Sequence, residues 1–286
     1  MSANLNWTPA IGILIDLALQ EDLAYGDLTT AAIGEVRQGY GAVMAKEELV
    51  CCGLPVVRWL VQRATPELVV EAHVNDGCLA APGTELLRLE GPVDAILRIE
   101  RAALNFLMRM SGVATLASHF AKAVAGTPAK VVDTRKTLPG WRVLDKYSTR
   151  VGGADNHRFD LASGILIKDN HIAACGSVGE AVRRAKNVSP HPLRIEVEVE
   201  DLSGVTEALE AGAEVLLLDN MSPAEVAESV GIIDGRALVE VSGGINLKSI
   251  RAYAEAGADL ISVGALTHSA VAVDISLDLY ADPPAA

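Results

Sequence analysis

Arg194-Ile-Glu-Val-Glu-Val-Glu200, Leu202-Ser-Gly-Val-Thr-Glu-Ala-Leu-Glu-Ala211 and Val215-Leu-Leu-Leu-Asp219 read as strand, amphipathic helix and strand. In the first of these, Ile195, Val197 and Val199 alternate with Glu196, Glu198 and Glu200, so at strand period the carboxylates share one face and the apolar residues the other. The same unit recurs from Lys130 onward. Strands are expected at Lys130–Thr134, Gly164–Lys168, Arg194–Glu200, Val215–Asp219, Ala237–Ser242 and Leu260–Gly264, with helices at Arg142–Val151, Val178–Asn187, Leu202–Ala211, Pro223–Val230 and Leu247–Ala256. Alternating β and α elements imply a parallel sheet covered by helices. Six such units favour an incomplete (β/α) barrel over a doubly wound sheet. On that reading Glu196, Glu198 and Glu200 face the lumen, and they need cations there, because a buried unpaired carboxylate is costly.

The earlier part of the chain has another texture. A helix is expected around Ile11–Gln20, strands at Gly41–Ala45, Leu68–His73 and Thr84–Leu89, and a long helix from Val93 past Leu107. The expected division is an N-terminal α+β domain over 1–112 and a barrel domain over 113–286, with a tail that can return to the first domain.

With 286 residues, about half hydrophobic, the chain can bury a substantial core. The apolar run Ile11–Leu19 has no basic segment before it and is interrupted by Asp16, so neither a signal peptide nor a membrane span is expected; this favours a cytoplasmic protein. Cys51, Cys52, Cys78 and Cys175 form no CxxC pair and read as buried thiols, not a disulfide framework or zinc site. The formal net charge is −13, yet residues 133–171 carry seven basic residues (Arg135, Lys136, Arg142, Lys146, Arg150, Arg158, Lys168) against five acidic ones. A local reversal of sign inside an acidic chain suits small, multiply charged anions and speaks against nucleic acid.

Barrel enzymes place their chemistry at the carboxyl ends of the strands. Here those ends read Arg135-Lys136, Lys168-Asp169, Glu198 to Glu200, Asp219-Asn220, Ser242-Gly243-Gly244 and Gly264-Ala265. The glycines suit a phosphate held by backbone amides; the alternative is a tight strand-to-helix turn. Lys168 fits a structural ion pair with Glu198 or the Schiff-base lysine of an aldolase. The alternative for Arg101 is an exposed helix charge, and for His171 and His268 a packing role.

Taken together, Glu21-Asp22, Gly26-Asp27, Glu100-Arg101, Leu104-Asn105-Phe106-Leu107, Asp133-Thr-Arg135-Lys136, Asn156-His157-Arg158, Lys168-Asp-Asn170-His171, Glu196-Val-Glu198, Leu218-Asp219-Asn220, Ser242-Gly243-Gly244 and Val263-Gly264-Ala265 resemble the quinolinate phosphoribosyltransferase family along almost the whole chain. The resemblance implies a barrel with an N-terminal open-faced sandwich, and transfer of phosphoribose from phosphoribosyl pyrophosphate to quinolinate with loss of carbon dioxide. It also implies roles. Arg101, Arg135, His157, Arg158 and Lys168 would hold quinolinate, and Thr134 lies beside them. Lys136 and Mg²⁺ would stabilise pyrophosphate; Glu198 and Asp219 would serve the ribosyl centre or ligate Mg²⁺; Ser242, Gly243, Gly244, Gly264 and Ala265 would cradle the 5′-phosphate. A homodimer with shared sites, able to assemble further, is implied, with Arg101 crossing to the partner. The chain departs from the pattern at Met108, Trp141 and Phe159-Asp160, none of which replaces a charged ligand.

Overall fold

The computed structural model describes residues 4–33 and 37–281. In chain order its elements are α1 (Pro9–Leu23), α2 (Leu28–Ile33), β1 (Gln38–Ala45), β2 (Leu49–Val50), α3 (Leu54–Ala64), β3 (Val69–Ala72), β4 (Leu79–Ala80), β5 (Glu85–Pro92), α4 (Val93–Ala123) and β6 (Lys130–Val132). There follow α5 (Arg142–Val151), β7 (Ile165–Ile167), α6 (Asp169–Cys175), α7 (Val178–Val188), β8 (Ile195–Val199), α8 (Leu202–Glu210), β9 (Val215–Asp219), α9 (Pro223–Ile233), β10 (Leu238–Ser242), α10 (Ile250–Glu255), β11 (Leu260–Ser262), α11 (Ala265–His268) and β12 (Ile275–Tyr280).

Two compact units emerge, each assembled from separate stretches of chain. The first holds the described residues up to 118, together with 137–153 and 269–281; the second holds 119–136 and 154–268.

In the first unit an antiparallel sheet has the order β12-β1-β5-β3, with Val43 opposite Leu277 on one side and Leu87 on the other. Val43, Leu87 and Leu89 of this sheet join Ile96, Ile99, Leu107 and Met110 of α4 in a single buried apolar cluster. This is an amphipathic helix laid on the apolar face of a sheet. The helix α4 runs unbroken through Ser111 and Gly112. Gly112 is required there, because an added Cβ would lie 2.1 Å from the carbonyl oxygen of Val271. The helix α5 has the expected bounds but packs in this unit, not around the parallel sheet. Its buried Asp145 accepts from Arg109 of α4 at 3.1 Å and from the Leu138 backbone at 3.2 Å. Trp141, one of the departures from the family pattern, stacks on Phe106 with ring centroids 5.1 Å apart.

The second unit is a parallel sheet in the order β6-β11-β10-β9-β8-β7. No ladder joins β7 to β6 among the described residues, so the barrel is incomplete. Its strands are short and β9 is buried at four of five positions, as expected where helices cover one face and side chains fill the other. The covering helices start on sequence-encoded caps: Ser177 accepts from the Glu180 amide, Asp201 from the Gly204 amide, and Ser222 with Glu225 forms a reciprocal capping box. Glu200 lies past the end of β8 and is exposed, so the lumen carboxylates of that strand are Glu196 and Glu198. No helix among the described residues is long and apolar enough to cross a membrane. All four cysteines are free; Cys51 and Cys52 are buried as expected, whereas Cys78 is exposed and Cys175 half-buried.

Candidate active site

A cavity of about 300 Å³ opens at the carboxyl ends of the parallel strands. Thr134, Arg135 and Lys136 reach it from the end of β6, His157 and Arg158 from the loop before β7, and Lys168 from the end of β7. Glu198 comes from β8, Asp219 from β9 and Ser242 from β10. Nine of the residues singled out in the sequence therefore line one cavity. Leu166 and Leu217 supply an apolar wall.

Local chemistry explains why these side chains sit where they do. Asp133, with no exposed surface, accepts from the side chain of Asn156 at 2.7 Å and from the backbone of His157 at 2.9 Å. Carboxylate bonds to amides thus anchor the Asn156-His157-Arg158 loop to the end of β6. Lys136 is held by its main chain: its N–H donates to Thr134 Oγ1 at 3.0 Å, and its carbonyl accepts from Thr267 Oγ1 at 2.9 Å. Lys168 pairs with Glu198, and its backbone N–H donates to His171 Nδ1 at 3.0 Å. That ion pair is one of the two roles the sequence leaves open for Lys168.

The glycine turns flank the cavity. Asn220 has φ 57°, and its N–H donates to the Ser242 carbonyl at 3.0 Å. Gly243 packs so closely against it, at φ 98°, that a Cβ would fall 2.2 Å from Asn220 Oδ1. Gly264 comes within 3.0 Å of Lys136 Cδ by the same measure, and Ala265 begins α11. Arg101 does not line this cavity. It belongs to the first unit, where it borders a different depression with Asp22, Asp27 and Arg98.

Glu240 on β10 was not singled out, although the alternation Val239-Glu240-Val241 that exposes Glu196 would have exposed it too. It is 1% exposed, reaches the cavity and lies 3.4 Å from His157 Nε2; Glu196, 7% exposed, lies 3.2 Å from the same nitrogen. Ligand atoms of these three residues fall within 4.8 Å of one another. Burial opposes a charge on His157, but the hydrogen bond to Glu196 and the negative charges of Glu196 and Glu240 outweigh it and favour an added proton on the cluster. Burial likewise raises Glu196, with Glu240 adding to the rise and His157 and Arg158 opposing it. Both shifts say that the cluster retains a proton. Because the Arg158 amide donates to His157 Nδ1 at 2.8 Å, the ring stays neutral with its one proton on Nε2, and the retained proton belongs to the carboxyl groups. Burial and the neighbouring Arg135 charge lower the pKa of Arg158, against the pull of Glu196 and Asp160.

A cation-rimmed cavity at the strand ends of a parallel α/β sheet defines an enzyme class that binds small anionic substrates. Comparison with known proteins narrows the class. Residues 27–111 match the N-terminal domain, and residues 113–278 the C-terminal domain, of the family described as quinolinate phosphoribosyl transferase. The chain is 41% identical over 269 residues to a nicotinate-nucleotide pyrophosphorylase [carboxylating] of Mycobacterium leprae, covering 92% of this chain and 94% of that one. It is 39% identical over 259 residues to the probable nicotinate-nucleotide pyrophosphorylase [carboxylating] of Bacillus subtilis, covering 91% and 90%. The crystal structure of NadC from Streptococcus pyogenes superposes with a TM-score of 0.92 at 38% identity, over 97% of this chain and 99% of that one. The chain belongs to the quinolinate phosphoribosyltransferase family.

Proposed function

We propose that the protein transfers phosphoribose from phosphoribosyl pyrophosphate to the ring nitrogen of quinolinate in NAD biosynthesis, releasing pyrophosphate and carbon dioxide and leaving nicotinate mononucleotide. The observation that carries this reading is the convergence of Arg135, Lys136, Arg158 and Lys168 on one cavity, opposite Glu198 and Asp219, in a chain that matches the family over both domains. Arginine forks suit planar carboxylates, so Arg135 and Arg158, with Lys168 and the edge of His157, orient the dicarboxylate. Lys136 faces the departing pyrophosphate and offsets its growing charge. Glu198 and Asp219 face the ribosyl centre, where their charge favours the oxocarbenium-like transition state. Thr134 and the turns at Ser242, Gly243, Gly244, Gly264 and Ala265 take the phosphate oxygens. Once the nitrogen is alkylated its positive charge stabilises the electron pair left on C2 as carbon dioxide departs, and C2 then takes a proton.

The reaction implies Mg²⁺, and the donor set accommodates it: Glu198 and Asp219 offer carboxylate oxygens at an open cavity, which suits a hard cation that keeps several waters. Bound there with the pyrophosphate, it would neutralise charge on the leaving group. The buried trio of His157, Glu196 and Glu240 suits Mg²⁺ less, because one of its ligand atoms is an imidazole nitrogen.

We infer further that the working unit is a homodimer, able to assemble further, in which Arg101 of each subunit completes the site of its partner. The support is that Arg101 lies on α4 of the first unit, before the barrel strands, at a position whose match in the family reaches across a subunit boundary. A cytoplasmic location agrees with four free cysteines. Incubation with quinolinate, phosphoribosyl pyrophosphate and Mg²⁺ tests the reading: nicotinate mononucleotide and pyrophosphate should appear in equal amounts, and their absence would overturn it.

A further inference from the structure

Both ring nitrogens of His157 are engaged within the protein. Nδ1 accepts the backbone N–H of Arg158 at 2.8 Å, and a nitrogen that accepts carries no proton, so the ring holds its proton on Nε2. Nε2 faces Glu196 Oε2 at 3.2 Å; Glu240 Oε1 lies 3.4 Å away, buried and without a hydrogen-bond partner among the described residues. Those glutamates stand on different strands, β8 and β10, and both are buried. The main-chain N–H of His157 is fixed as well, donating to the buried Asp133 at 2.9 Å. Held from three sides, the imidazole is not free to swing toward a ligand. What it supports is Arg158: the amide that donates to Nδ1 belongs to the residue whose guanidinium lines the cavity and whose Nη1 donates to the Gly164 carbonyl at 2.9 Å.

We propose that Glu196 is a positioning residue for the dicarboxylate substrate: by accepting the Nε2 proton of His157, it makes the imidazole a strut that sets Arg158 at the cavity wall. This rests on the reading of the cavity as a quinolinate site. The same trio could be imagined around a metal ion, since its ligand atoms cluster. The Arg158 amide speaks against that use. A metal on Nε2 would displace the proton, and Nδ1 cannot receive it while it accepts an N–H.

The test compares alanine with glutamine at Glu196. Glutamine keeps a carbonyl oxygen that accepts from Nε2; alanine removes the grip. Glu196→Gln should bind quinolinate within about threefold of wild type, since a neutral acceptor preserves most of such a bond. Glu196→Ala should bind it about tenfold more weakly or worse, the usual size of losses when a supporting shell is removed. The KM for phosphoribosyl pyrophosphate should stay within about twofold in both, because Arg158 faces the other substrate. In ¹⁵N spectra of the wild type, His157 should show a bare Nδ1 and a protonated Nε2, a readout that does not depend on turnover. An alanine variant that melts and binds like wild type would overturn the proposal, as would a glutamine variant as weak as alanine, a proton on Nδ1, or stoichiometric Mn²⁺ or Zn²⁺ binding that the glutamine variant loses. If the alanine variant does not fold, the glutamine variant and the wild-type spectrum decide by the same criteria. A wild type that neither binds quinolinate nor makes product fails the functional reading and this proposal together; normal product formation with any adverse result above fails the proposal alone.

Discussion

In the antiparallel sheet of the first unit, the positions facing the core carry Val43, Leu87 and Leu89, with no ionisable side chain among them. In the parallel sheet of the second unit, the inward positions of β8 and β10 carry Glu196, Glu198 and Glu240, and two of those three are buried. Both sheets obey the same alternation, so the difference lies in what the inner face is for. An apolar inner face contributes stability through burial; an ionised one costs desolvation and is kept where charge must be placed. Mutations in the two sheets should therefore separate stability from activity.

The largest effect is expected at the mouth of the second unit. Glu198→Ala and Asp219→Ala should each slow turnover by about 10²–10³-fold, the usual loss when charge complementarity to a transition state is removed, while quinolinate affinity and melting temperature change little. Collapse of quinolinate binding with intact turnover would break the assignment. Next comes Leu87→Ala in the apolar sheet, fully buried, which should cost about 2–5 kcal/mol of unfolding free energy in a denaturant titration yet leave turnover per folded molecule unchanged.

A smaller effect tests the proposed homodimer. Arg101→Ala and Lys136→Ala proteins, each nearly inactive, should recover about a quarter of wild-type activity when unfolded together and refolded, because half the dimers are mixed and each has one intact site. Verified subunit exchange without recovery would confine Arg101 to its own chain. The smallest concerns the covering helices. Hydrogen bonds from Ser222, side chain and backbone, hold Glu225 below the usual carboxylate range. A depressed pKa contributes stability that is present above the unfolded value and fades as pH falls through the folded one. Glu225→Gln should thus melt slightly below wild type at about pH 7 and converge with it near about pH 3.

Much of the chain from Lys130 onward was legible because its signals are local. β9 and α5 fall on the residues that periodicity assigns, and β8, β10 and β11 differ only at their ends. What periodicity does not carry is the partner. Arg142–Val151 has a helical pattern that would suit an outer barrel helix, but it packs in the first unit, where Arg109 satisfies its buried Asp145. The short pair β2 and β4, the helix α3 and the last strand β12 went unread: the first pair is two residues long, and β12 depends on a partner far away in sequence. At the cavity, nine expected residues converge because strand ends announce themselves by charge. Glu240 was missed because it sits one turn of the alternation below its strand end, and the double engagement of His157 requires coordinates to see.

The pairing of β12 with β1, Tyr40 opposite Tyr280 and Ala45 opposite Ile275, also has a meaning in time. On the ribosome β1 and β5 emerge early, while the strand that closes the outer edge of β1 is made only after every strand of the parallel sheet. Until then β1 presents unpaired amides and carbonyls, a template for the wrong chain as well as the right one. Stacking of Tyr40 on Tyr280, 4.7 Å between centroids, helps to fasten that seam once it forms. A nascent chain stalled before Ile275 would leave that edge of β1 open.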